Sequence, residues 1–134
     1  MSQENVKRVM EAVDAYNRGD LDAMFRSYAP DVEVFPDASM FPEAEPMRGP
    51  DAVRAWTEQL ATAWVEVRYS TLEAFEVDDG RVVHRGEWGG TGVASGADLT
   101  SSISQVTTFR DGLASRIEYF FDHDKALKAV GLEG

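Results

Sequence analysis

The spacing of apolar residues changes period near residue 65, and this change constrains the fold more than any other feature of the chain. Val6, Val9, Met10, Val13 and Tyr16 recur at i, i+3, i+4, i+7 and i+10, the face of an amphipathic helix. Beyond residue 65 come four strand-like runs, Val65–Val77, Arg81–Gly92, Leu99–Phe109 and Leu113–Phe121. Turn signals separate them: Asp78-Asp79-Gly80, Ser95-Gly96 and Arg110-Asp111-Gly112. Helices followed by an antiparallel meander predict an α+β fold. Its sheet curls around the helices and encloses a small apolar cavity.

The helical half divides further. Gly19 suits the left-handed end of the first helix, and Asp20 the N-cap of a short second one carrying Met24, Phe25 and Tyr28. Pro30 stops that helix, and Val32–Phe35 read as a first strand. Gly49-Pro50-Asp51 opens a third helix with the buried stripe Val53, Trp56, Leu60 and Ala63 or Trp64. Residues 36–49 hold three prolines together with Met40, Phe41 and Met47, and read as a long loop that lines the cavity or plugs the core. In the sheet, Gly89-Gly90-Thr91-Gly92 suggests a bend or bulge. Asp122 caps a short C-terminal helix bearing Leu127 and Val130, which Gly131 ends.

Composition narrows the function classes. The 134 residues suit one domain, 1–134, with a real core. A net charge of −11 argues against nucleic acid and anionic membranes, because both need a basic surface. No apolar run approaches the roughly 18 residues of a membrane span, and Met1-Ser2-Gln3-Glu4 does not open a signal peptide. A cytoplasmic location is the expectation. The absence of cysteine excludes disulfides, thiolate metal sites and a cysteine nucleophile. No cofactor is expected: there is no Walker loop, and no glycine-rich phosphate cradle precedes a helix. No metal site is expected either, since His84 and Glu87 fall on opposite strand faces and Asp122-His123-Asp124 lies in a capping turn.

Alternation along the strands groups the site candidates. If Ile117, Tyr119 and Phe121 face inward, the cavity is lined by His84, Trp88, Gln105 and Tyr119, with Tyr16, Met40 and Trp56 as further walls. His84 is the candidate base, because it titrates near neutral pH; the alternative is a satisfied strand histidine. Tyr119 would donate to a developing oxyanion, or be a core aromatic. Gln105 would orient a carbonyl, or bond to backbone. Asp122 is a catalytic candidate whose simpler role is the helix cap.

The motifs Tyr16-Asn17-Arg18-Gly19-Asp20-Leu21-Asp22-Ala23, Tyr28-Ala29-Pro30-Asp31, Arg48-Gly49-Pro50-Asp51-Ala52-Val53, Thr108-Phe109-Arg110-Asp111-Gly112 and Tyr119-Phe120-Phe121-Asp122 run nearly the length of the chain. Their order resembles the nuclear transport factor 2-like superfamily, and within it the SnoaL-like proteins. The resemblance implies a cone-shaped barrel: a strongly curved, mainly antiparallel sheet around three N-terminal helices, with a short C-terminal helix. It also implies a homodimer through the open sheet face. The superfamily hosts isomerases, cyclases, epoxide hydrolases, dehydratases and non-catalytic binders, so it does not fix the chemistry.

Relatives' catalytic positions test poorly here. The acid–base positions of ketosteroid isomerases fall on Ala12, Pro36 and Gln105, none of which shuttles a proton. The epoxide-hydrolase set falls on Gly86, Trp88 and Tyr119, while Arg85 and Glu87 are one residue out of phase and read as an outward pair. SnoaL-like cyclases rely on one acid, for which Asp122 is the nearest candidate. The expectation is a small-molecule binder for an apolar carbonyl compound. It is catalytic by cofactor-free proton transfer if His84, Tyr119 and Gln105 converge. The alternative is a non-catalytic binding or interaction module, and a third reading is epoxide-hydrolase-like water activation by Arg85, Glu87 and Asp122, which requires Arg85 and Glu87 to point inward.

Overall fold

The computed structural model describes residues 2–37, 45–78 and 80–132, with backbone alone at residues 2, 3, 60 and 61. The element order is α1 (Ser2–Asn17), α2 (Leu21–Phe25), β1 (Tyr28–Phe35), β2 (Met47–Arg48), α3 (Pro50–Ala63), β3 (Trp64–Asp78), β4 (Arg81–Gly92), β5 (Asp98–Arg110), β6 (Leu113–Phe120) and α4 (His123–Ala129). The six strands form one sheet in the order β2-β1-β6-β5-β4-β3. Only β1 and β6 run parallel. The fold is the α+β arrangement of a curved, mainly antiparallel sheet around N-terminal helices.

Each boundary has a local cause. The Asp20 carboxylate accepts the Ala23 N–H at 3.1 Å and starts α2, and Pro50 opens α3 where its missing N–H costs nothing. Asp122 accepts the Asp124 N–H at 3.0 Å and starts α4. Three local expectations need correction. Tyr28 belongs to β1 and not to α2, and Pro30 lies inside that strand, where the register with β6 shifts between Tyr28 and Glu33. A proline fits there because an irregular stretch asks it for no ladder hydrogen bond. Trp64 begins β3 and does not continue α3.

The third correction concerns Gly89-Gly90-Thr91-Gly92, which pairs with β5 in unbroken register. The irregularities lie opposite, on β3, at Val65/Arg68, Thr71/Glu73 and Glu76/Asp78, with Glu66 at φ 55°. Extra residues on one strand deepen its twist, and this curls the sheet.

Two cores result. On the concave side Val32, Val34, Ala114 and Ile117 pack against Ala15, Met24, Phe25 and Val53 of the helices. On the convex side Val83 and Val106 pack beneath Ala126 and Val130 of the α4 region. The first core fills only part of the concave space; aromatic rings wall off the rest as a cavity.

Candidate functional site

The cavity holds about 360 Å³, within the range of small-molecule pockets. α1 contributes Arg8, Ala12 and Tyr16, spaced one turn apart so that they share a face. Trp56 comes from α3, Tyr28 from β1, and Trp88, Gln105 and Tyr119 from the meander. Among the described residues Arg8 is the only charged side chain of the lining, and no carboxylate or imidazole belongs to it.

Four tyrosines give the cavity its polar character. The Tyr16 hydroxyl accepts the Trp88 indole N–H at 2.9 Å, and the Tyr69 hydroxyl donates to the Ile103 carbonyl at 3.1 Å. The hydroxyls of Tyr28 and Tyr119 and the amide of Gln105 make no hydrogen bond among the described residues. Gln105 and Tyr119 are register partners on adjacent strands, so their side chains stand next to each other on one face. Burial raises the pKa of all four phenols. At Tyr28 and Tyr69 the neighbouring Tyr119 adds to the effect, and at Tyr119 the neighbouring Tyr16 does. They are neutral donors near neutral pH.

Tyr69 is held by a side chain that imitates a strand. The Asn17 amide donates to the Tyr69 carbonyl at 2.9 Å and accepts the Tyr69 N–H at 2.8 Å. The ring then lies over Gly86, where a Cβ would stand 2.7 Å from the Tyr69 Cε1. Only glycine admits this approach.

His84 does not reach the cavity, and the expectation that it lines the site is corrected. It is 0% exposed, with its ring 4.8 Å from that of Tyr69, which occupies the lining in its place. Its Nε2 pairs with Thr71 Oγ1 at 2.8 Å, and its Nδ1 is buried without a partner among the described residues. Loss of solvent lowers its pKa to about 4, so the imidazole is neutral near pH 7. Neither a carboxylate nor Tyr119 orients it.

Asp122 is likewise outside the lining and caps α4, the simpler of its two expected roles. Tyr16, Trp56, Trp88, Gln105 and Tyr119 all line the cavity. Met40 lies outside the described residues, as does the side chain of Leu60. Arg85 and Glu87 pair in register with Ser104 and Ser102, on the face away from the cavity, so the epoxide-hydrolase reading loses its residues. Ala12, Pro36 and Gln105 do line the cavity, so the positions where ketosteroid isomerases hold acid–base groups are present without them. No three metal-ligating side chains stand together among the described residues. No described helix is long and apolar enough to cross a membrane.

The lining residues that the sequence does not signal include Tyr28, Tyr69 and Arg8. Tyr28 was placed on a helix because of Pro30. Tyr69 lies on the alternating run Val67-Tyr69-Thr71, which signals a face but not which ring covers which neighbour. Arg8 was visible only as i, i+4, i+8 with Ala12 and Tyr16.

The family model of the SnoaL-like domain matches residues 9–117. The chain belongs to the SnoaL-like family. Solved structures agree with the fold of this SnoaL-like chain. A nuclear transport factor 2-like protein of unknown function from Burkholderia pseudomallei is 27% identical, with a TM-score of 0.79 over 96% of this chain and 98% of that one. A protein proposed to be a SnoaL-like polyketide cyclase from Jannaschia sp. CCS1 is 16% identical, with a TM-score of 0.78 over 99% and 95%. A protein with the ketosteroid isomerase-like fold from Catenulispora acidiphila is 14% identical, with a TM-score of 0.75 over 93% and 92%. Comparison with functionally curated proteins found no match.

Proposed function

We propose that this SnoaL-like chain binds a small, mostly apolar molecule carrying a carbonyl or hydroxyl oxygen. One observation carries the reading. Tyr28, Tyr119 and Gln105 bring hydrogen-bonding groups with no protein partner among the described residues to a mostly apolar cavity. Buried polar groups are normally satisfied, so a cluster left unused is suited to an incoming oxygen. The rings of Trp56 and Tyr119, with centroids 6.2 Å apart and planes at 52°, pack against each other and give the cavity an aromatic wall.

Cofactor-free isomerisation, cyclisation or dehydration is the finer version of this reading. The two phenols would stabilise an enolate oxygen in a water-poor site. Such a reaction also needs a base. Asp37 follows the lining residue Pro36, and its Oδ2 accepts the Phe121 N–H at 2.7 Å. The described lining offers donors without a base, and binding is the reading we retain. The assembly we propose is a homodimer through the sheet face opposite the cavity.

The test is a titration with 6-hydroxy-2-naphthyl methyl ketone and with 2-ethylnaphthalene, which keeps the ring body and lacks oxygen. The ketone saturates the wild type, and Tyr119→Phe weakens it by about fivefold, one neutral hydrogen bond. The hydrocarbon is unaffected by that change. Non-saturable binding of the ketone, or equal losses for both compounds, overturns the reading.

A further inference from the structure

We propose that Arg8 makes the cavity selective for ligands with a carboxylate at the end near the β5–β6 turn. The inference rests on the binding reading above and names its ligand class. Arg8 is the only charged side chain among the described lining residues. Its engagements are few for a group with five N–H donors. Nη1 donates to Asn5 Oδ1 at 2.6 Å, and Nη2 lies 3.6 Å from Glu4 Oε2. The Glu4 side chain is 69% exposed, and an exposed pair of that length contributes little. An incoming carboxylate displaces it at small cost, and the planar guanidinium meets a carboxylate through two parallel bonds.

Arg8 also lies beside the β5–β6 turn. A Cβ on Gly112 would stand 3.4 Å from Nη2, and Gly112 has φ +79°. The turn therefore requires glycine for its backbone and leaves the guanidinium room beside it. Phe109, next to this turn, and Gln105 both line the cavity. They are four residues apart on β5, a span of about 13 Å at the usual strand rise. A ligand with one oxygen at Tyr119 and Gln105 and a carboxylate at Arg8 is therefore an elongated acid.

The charge balance sharpens the argument. The chain carries −11 overall and repels anions at long range. An acid is preferred over its neutral amide only if a local cation outweighs that repulsion, and Arg8 is the one the described lining contains.

The test compares 6-hydroxy-2-naphthoate with 6-hydroxy-2-naphthamide by titration calorimetry on the wild type, Arg8→Gln and Arg8→Lys. The wild type prefers the acid by roughly tenfold, the value of a charge-assisted hydrogen bond at a half-exposed site. Arg8→Gln removes the preference or inverts it. Arg8→Lys keeps a reduced one, and serves alone if circular dichroism finds Arg8→Gln unfolded. Equal wild-type binding of acid and amide, or a full preference retained in either variant, overturns the role of Arg8 and leaves the cavity reading standing. Failure of both compounds to bind the wild type overturns both.

Discussion

Burial of His84 next to Tyr69, without a charged partner, costs the imidazolium its hydration and favours the neutral ring. The consequence for stability has a definite sign. In the unfolded chain the ring titrates near its ordinary value of about 6.5. In the folded protein it titrates near 4. Between those values the unfolded state binds the extra proton, so stability falls as the pH drops through that window. Below about 4 the folded state protonates too, and this contribution stops changing. The full effect is about 3 kcal/mol. Urea unfolding of the wild type and His84→Gln at pH values across the window checks this. The variant loses less stability on acidification, by up to that amount. Parallel pH curves for the two proteins would overturn the account.

At the scale of elements, the join between α1 and β3 is what turns a sheet face into a cavity wall. Asn17, the last residue of α1, bonds both backbone groups of Tyr69 at a distance of 52 residues along the chain. Asn17→Leu leaves those groups without their partner at a half-buried site and costs about 1–3 kcal/mol. Denaturant unfolding measures the loss. Affinity for the hydroxynaphthyl ketone falls as well, because Tyr69 no longer holds its place over Gly86. Asn17→Asp retains one acceptor for the Tyr69 N–H and loses less. A change within experimental error for Asn17→Leu would mean that the β3 irregularities alone position Tyr69.

For the whole molecule, the two sides of the sheet carry different chemistry. The concave side is closed by α1, α2 and α3 over the cavity. The convex side is covered only in part, with Val83 and Val106 under α4 and the charged Arg85 and Glu87 beside Ser102 and Ser104. The Arg85 Nε is buried without a partner among the described residues. The proposed homodimer would use this face. Light scattering coupled to size exclusion then gives twice the 14.8 kDa chain mass, and Glu87→Arg shifts it toward the single chain. A wild-type monomer at micromolar concentration sinks the proposal.

Apart from β2, whose residues Met47 and Arg48 read as loop until they pair with β1, the sequence alone determined the order and kind of the elements. Those depend on neighbours: the 3.6-residue spacing of Val9, Val13 and Tyr16, Asp20 and Asp122 as caps, and the glycine turns between strands. It also placed Trp88, Gln105 and Tyr119 on faces that line the cavity, because strand alternation is local. Only the tertiary structure decided that His84 is screened from the cavity, although it shares a strand face with Trp88. The screen is the ring of Tyr69, set by a bulged β3, a glycine at 86 and an asparagine 52 residues away. Tyr28 was hidden for a related reason: Pro30 reads as a helix stop until the irregular pairing of β1 with β6 gives it a place in a strand. Spacing along a chain records which side chains share a face. Which of them a distant residue then covers depends on packing across elements.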